Sequence, residues 1–279
     1  MKRKVLAEFQ DANARGIFAS NTSTLPITSI AEGAKDPSRV VGLHFFNPVP
    51  RMPLVEVIPG AATSPEVTAT ALALAQRLGK FVVVVKDRPG FLVNRILAPY
   101  LNEALRCLEE GVPPAALDAA MKAFGMPMGP VELLGQVGIP VARHAGEVLA
   151  KAFPERLEAP ALLGKLGDDL SGLAALLPPP SSGWTSEGMQ ERLVMAMVNE
   201  AAWALSEGVV ATAREVDLAM VFGTGFAPFR GGLLHHADAL GAKACLNALQ
   251  RLKDGHGARF EPCPALADMA RAARTFHAV

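Results

Sequence analysis

His44 and Glu56 are the residue types best placed in this chain to move a proton. His44 stands where the apolar run Val40-Val41-Gly42-Leu43 meets Phe45-Phe46-Asn47-Pro48-Val49-Pro50. Glu56 follows twelve residues later, between Val55 and Val57. If the prolines turn the chain back, the imidazole and the carboxylate meet. A carboxylate on one ring nitrogen fixes the tautomer and raises the basicity of the other nitrogen, which is a general-base arrangement. On spacing alone, a structural hydrogen bond between the two is the commoner outcome. Ser20-Asn21-Thr22-Ser23-Thr24 follows a predicted strand end, where open α/β sheets place their ligands. Asn94 falls early in a predicted long helix after Pro89-Gly90. The Ser23 hydroxyl and the Asn94 amide can converge on a substrate oxygen. The alternatives are a turn or helix cap for Ser23 and a backbone-satisfied buried amide for Asn94.

These groups need a scaffold, and the composition supports one. The chain has 279 residues, 50% hydrophobic and 19% charged, a globular balance with room for two or three packed units. Lys+Arg and Asp+Glu are both 27, so no bulk charge draws the chain to nucleic acid or anionic lipid. Cys107, Cys245 and Cys263 form no paired motif and read as ordinary reduced cysteines. No apolar run approaches a membrane span. Met1-Lys2-Arg3-Lys4 is basic, but Glu8, Gln10 and Asp11 follow instead of an apolar segment, so no secretion signal is expected and the expected location is cytoplasmic.

The first 87 residues read as mixed α/β. A helix over 2–13 feeds a short strand at Ile17-Phe18-Ala19, an odd opening that predicts missing preceding strands. Pro26 to Gly33 reads as a short helix, and Leu54 to Ile58 as a strand after that of Val40 to Leu43. Ser64-Pro65-Glu66 starts a helix: Ser caps free N–H groups, Pro fits the first helical position and Glu complements the dipole. The β-branched run Phe81 to Val85 reads as a strand buried on both faces. Beyond Arg88 only helical periodicity follows, with one long helix predicted over Phe91 to Glu110 and others at Pro114 to Phe124, Pro130 to Val137 and Pro140 to Ala152. Pro178-Pro179-Pro180-Ser181-Ser182-Gly183 is a stiff, solvated linker. Helices at Ser186 to Glu207 and Ala213 to Phe222 come after it.

The helical segments on either side of the linker repeat each other. Asn102-Glu103-Ala104 through Leu108-Glu109-Glu110-Gly111-Val112 parallels Asn199-Glu200-Ala201 through Leu205-Ser206-Glu207-Gly208-Val209. Leu117-Asp118-Ala119-Ala120-Met121 parallels Val216-Asp217-Leu218-Ala219-Met220. The common order and spacing indicate an internal duplication. Residues 91–150 are expected to pack against residues 186–279 within one chain.

Ser20-Asn21-Thr22-Ser23, Gly42 to Pro50, Leu54-Val55-Glu56-Val57-Ile58, Asp87 to Arg95 and Pro127 to Leu134 together resemble the 3-hydroxyacyl-CoA dehydrogenase family. Val221 to Gly232 resembles the last domain of the α-subunits of the fatty-acid oxidation complex. The resemblance implies an α/β remnant of a Rossmann-type NAD-binding domain (1–87), followed by two all-α C-terminal-type domains (88–177 and 184–279). It implies NAD as cofactor, a 3-hydroxyacyl-CoA substrate, and a thiolase subunit or a further copy of the chain as partner. It also implies roles: His44 as general base, Glu56 as its orienting carboxylate, Ser23 and Asn94 on the substrate's 3-oxygen, and Asn47 beside the histidine.

The family's G-x-G-x-x-G turn does not occur in the chain, since Gly223-Thr224-Gly225 lies between predicted helices. The chain is therefore expected to lack the N-terminal part of the NAD-binding domain. Residues 164–183 also depart from the family pattern. The competing expectation is a non-catalytic helical binding protein that has lost cofactor binding.

Overall fold

The computed structural model describes residues 1–277. α1 (Lys2–Ala12) precedes β1 (Phe18–Ser20), α2 (Ile27–Ala31), β2 (Val40–Phe45), β3 (Leu54–Pro59), α3 (Pro65–Arg77) and β4 (Phe81–Val84). The strands form one sheet in the order β1-β2-β3-β4. β1 and β2 are parallel, β2 and β3 antiparallel, and β3 and β4 parallel. On one face Val41, Leu43, Val55 and Val57 bury Val67, Ala71 and Ala75 of α3. On the other, Val40, Leu54, Ile58 and Val83 join the main core. α3 starts as its residues dictate: Ser64 Oγ accepts from Val67 N at 3.2 Å, with Pro65 and Glu66 in the first turn.

Three expectations need correction. The description of the α/β unit as a remnant is not supported: its four strands form a Rossmann-like sheet packed on both faces, and absence of a glycine motif says nothing about such packing. β4 is not buried on both faces, because it lies at the sheet edge with Phe81 49% and Val84 38% exposed. A β-branched run signals a strand but not its neighbours. The long helix begins at Val93 rather than Phe91, because Gly90 (φ +74°) and Phe91 (φ +51°) occupy left-handed conformations that a helix excludes.

The remaining chain is helical. α4 (Val93–Glu109), α5 (Pro114–Phe124), α6 (Pro130–Val137), α7 (Ile139–Ala152), α8 (Ala161–Lys165) and α9 (Leu173–Leu176) precede the linker. α10 (Ser186–Ser206), α11 (Ala213–Thr224), α12 (Leu233–Leu240), α13 (Ala242–His256) and α14 (Pro264–Arg271) follow it. The duplication is visible in detail. Asp118 accepts from Val131 N at the start of α6, and Asp217 from Leu234 N at the start of α12. Gly138 and Gly241, which open α7 and α13, have φ of +86° and +88°.

The two copies meet along α4 and α10, as expected from the sequence. Buried Arg95 of α4 donates to Glu200 at 2.6 Å and Glu207 at 2.8 Å. Buried Arg192 of α10 donates to Glu103 and Glu110, both at 2.7 Å. Each copy thus supplies the arginine to the other's carboxylates, the reciprocity of a two-fold interface built inside one chain. Arg156 stacks on Trp203 at 4.3 Å and pairs with Glu200, while Arg259 pairs with Glu103.

Burial pushes the Cys107 thiol up to about 12 and the Cys245 thiol to about 11, so both stay protonated and unreactive. No helix of the described residues is long and apolar enough to cross a membrane. The linker at Pro178–Gly183 is exposed but anchored, with Ser181 N donating to Gly111 O at 3.0 Å. A protease nick there is expected to leave both fragments co-migrating with the intact chain in gel filtration. Fragments that separate freely would contradict the α4–α10 interface.

Candidate active site

The antiparallel register of β2 and β3 sets His44 directly opposite Glu56. Directly opposite residues share one face of a sheet and lie close enough to bond. His44 Nδ1 lies 2.7 Å from Glu56 Oε2, with side chains 6% and 0% exposed. The other carboxylate oxygen, Oε1, accepts from Leu92 N at 3.1 Å and Val93 N at 2.9 Å. These two N–H groups belong to the free donors at the start of α4, where the helix dipole favours a negative charge. The left-handed turn at Gly90-Phe91 aims them at Glu56. A buried carboxylate is costly unless its oxygens are satisfied, and here three donors satisfy it.

With Nδ1–H donating to the carboxylate, the tautomer assigned by this geometry leaves Nε2 as the base nitrogen. Nε2 has no hydrogen-bond partner among the described residues and is not sealed from solvent. Phe46 and Phe91 hold the imidazole, with ring centroids at 4.5 and 5.7 Å.

Asn94 is half-buried on the first turn of α4, next to Val93, and its Nδ2 donates to Ser23 O at 3.1 Å. The Ser23 segment and the α4 start are therefore tied together. Asn47 lies just past β2 and is exposed, with no hydrogen bond to the other four among the described residues. Two positioning residues escaped the sequence reading. Asn21 Oδ1 accepts from Phe45 N at 3.0 Å, locking the Ser23 segment to the residue after His44. Asp87 accepts from Ile27 N and Thr28 N, both at 2.7 Å, seating α2 just beyond Ser23. Asn21 was visible as part of the Ser-Asn-Thr-Ser run; Asp87 carried no signal beyond its nearness to Pro89-Gly90.

Exposed Ser23 and half-buried Asn94 border the carboxyl end of β1, and His44 lies near that of β2. That polar rim lies where open α/β sheets place their ligands. Among the described residues one strand, β3, leads through Gly60 into a helix N-terminus, that of α3, and it does so without a G-x-G-x-x-G turn. Glu56→Ala would orphan two amides and the imidazole and is expected to lower unfolding stability in urea by about 3 kcal/mol or more. Glu56→Gln keeps an amide oxygen for the helix and should cost less than half of that. Equal losses for the two variants would contradict the anchoring role.

Residues 1–88 match the model for the 3-hydroxyacyl-CoA dehydrogenase NAD binding domain. The expectation that the N-terminal part of this domain is missing is therefore unsupported: the match begins at residue 1, although the glycine motif is absent. Residues 90–170 and 189–277 match the 3-hydroxyacyl-CoA dehydrogenase C-terminal domain, a double match in line with the duplication. The fatty acid oxidation complex subunit alpha of Shewanella putrefaciens is 45% identical over 280 residues, covering 91% of this chain. The chain spans 40% of the length of that relative and of its counterpart from another Shewanella, which is 44% identical. The crystal structure of 3-hydroxybutyryl-CoA dehydrogenase from Escherichia coli superposes with a TM-score of 0.83 at 26% identity, covering 98% of this chain and 79% of that one. The (S)-3-hydroxybutyryl-CoA dehydrogenase of Ralstonia eutropha gives a TM-score of 0.56 at 40% identity, covering 62% and 61%. The chain belongs to the 3-hydroxyacyl-CoA dehydrogenase family.

Proposed function

We propose that this chain carries out NAD-dependent oxidation of 3-hydroxyacyl-CoA to 3-oxoacyl-CoA, a step of fatty-acid β-oxidation. The observation that carries the reading is the buried His44–Glu56 pair, with Glu56 anchored on α4 and His44 Nε2 left open. His44 Nε2 takes the proton of the 3-hydroxyl. Glu56 stabilises the imidazolium that results and prevents the ring from turning. The Ser23 hydroxyl and the Asn94 amide hold the substrate's 3-oxygen, and Asn47 lines the approach beside the histidine. NAD, when bound, supplies the hydride acceptor for C3.

The proposed division of labour gives 1–87 the cofactor and base, 88–177 the substrate wall, and 184–279 the bracing of that wall as the second copy; the family matches over 1–88, 90–170 and 189–277 support it. Substrate enters as an acyl-CoA, and a thiolase subunit is the proposed partner, on the strength of the relatives named for a fatty acid oxidation complex. The geometry favours this over a purely binding role, because a scaffold has no need of a buried carboxylate aimed at a histidine. The assay is NADH oxidation with acetoacetyl-CoA. His44→Ala is expected to lower kcat about 10²–10⁴-fold, and Asn94→Ala about 10²-fold through loss of a donor to the developing oxyanion. Turnover indifferent to His44→Ala would overturn the assignment.

A further inference from the structure

The register that pairs Arg95 with Arg192 and Glu103 with Glu200 also sets Glu191, Val194 and Met195 where the first copy has Asn94, Leu97 and Ala98. The register of Gly138 with Gly241 sets Leu240 and Ala244 where the first copy has Val137 and Val141. In the first copy this face meets the α/β unit, through Val93 N on Glu56 and Asn94 on Ser23. In the second copy no α/β unit covers it among the described residues. A cavity of about 450 Å³ opens there between α10, α12 and α13, lined by those same five residues. That volume lies within the range of small-ligand sites, ~300–1,000 Å³.

The chemistry of this second face has changed. A carboxylate, Glu191, replaces the Asn94 amide, so the position equivalent to Asn94 carries no donor. Val194, Met195 and Leu240 keep its wall apolar. Arg230 spreads its guanidinium over the Phe124 ring at 4.0 Å, donates Nε to Phe124 O, and makes no ion pair among the described residues. Arg251 pairs at 3.0 Å with Glu191 in solvent, and Glu187 is the other acid on the rim. Half-buried beside Phe124, His236 has its pKa held low by desolvation and then by Arg230, so it adds a neutral ring to the wall at pH 7. An apolar trough ending at an unpaired guanidinium suits an amphiphile with one negative head.

We propose that this groove is a second acyl site that binds a medium-chain carboxylate without turning it over, its tail along α10 and α13 and its head on Arg230. The assignment of an acyl ligand rests on the reading of the Asn94 face as the substrate wall. Decanoate binding, followed by calorimetry on the full chain, tests it. Asn94→Ala is expected to bind decanoate as the wild type does. Ala244→Phe, an exposed position that narrows the trough, is expected to weaken binding at least tenfold at unchanged melting temperature and NADH-linked turnover, and Arg230→Gln, which removes the cation, to weaken it at least tenfold at unchanged NADH-linked turnover. Failure of the wild type to bind decanoate, or binding lost in Asn94→Ala but kept in Ala244→Phe, would overturn the second site while leaving the dehydrogenase reading intact. Ala244-dependent binding in a chain without turnover would support the groove and count against the dehydrogenase reading alone.

Discussion

One buried carboxylate joins the two kinds of structure in this molecule. Glu56 has no exposed surface, and its two oxygens face different units. Oε2 meets the imidazole across the β2–β3 pair, and Oε1 meets the amides that open α4. The sheet supplies the base, the helix supplies the counter-dipole, and neither alone would hold this charge out of water. The same contact places Asn94 beside Ser23, because Asn94 is the next residue along the helix that Glu56 anchors.

The helix so anchored is itself clamped from the other side. Arg95, adjacent to Asn94, is gripped by Glu200 and Glu207 of the second copy. The symmetric contact at Arg192 closes the interface again further along α4. Removing one partner of such a buried pair leaves an uncompensated charge and is strongly destabilising, which gives the interface a defined register rather than a sliding one. The duplication thus does more than add mass. Its second copy packs along α4 and stiffens the helix that carries half of the proposed site.

Much of this was legible in residue order. Capping residues and proline positions marked α3, α5 and α6 because those signals are local and each has a fixed backbone meaning. The duplication was legible because Glu103 and Glu110, which meet arginine across the α4–α10 interface, recur at the same spacing as Glu200 and Glu207. The His44–Glu56 pairing was legible because a turn between two apolar strands brings such residues opposite each other. The edge position of β4 was hidden, since a strand's own residues do not name its neighbours. The left-handed Phe91 was hidden too, because a bulky residue rarely adopts positive φ and here does so to aim two amides at a carboxylate. Asp87 and Asn21 act through backbone groups far along the chain, and no spacing rule reports such contacts. A missing glycine turn does not by itself report on the packing of the sheet, which the four strands achieve without it.

The claim on which the account rests is that Glu56 fixes the His44 tautomer. Nitrogen-15 NMR on histidine-labelled protein reads this directly, with the His44 signals assigned by their loss in His44→Ala. The account predicts the tautomer with its proton on Nδ1 and Nε2 bare, with that preference lost in Glu56→Gln. A ring protonated at Nε2, or one whose tautomer is indifferent to Glu56, would contradict it.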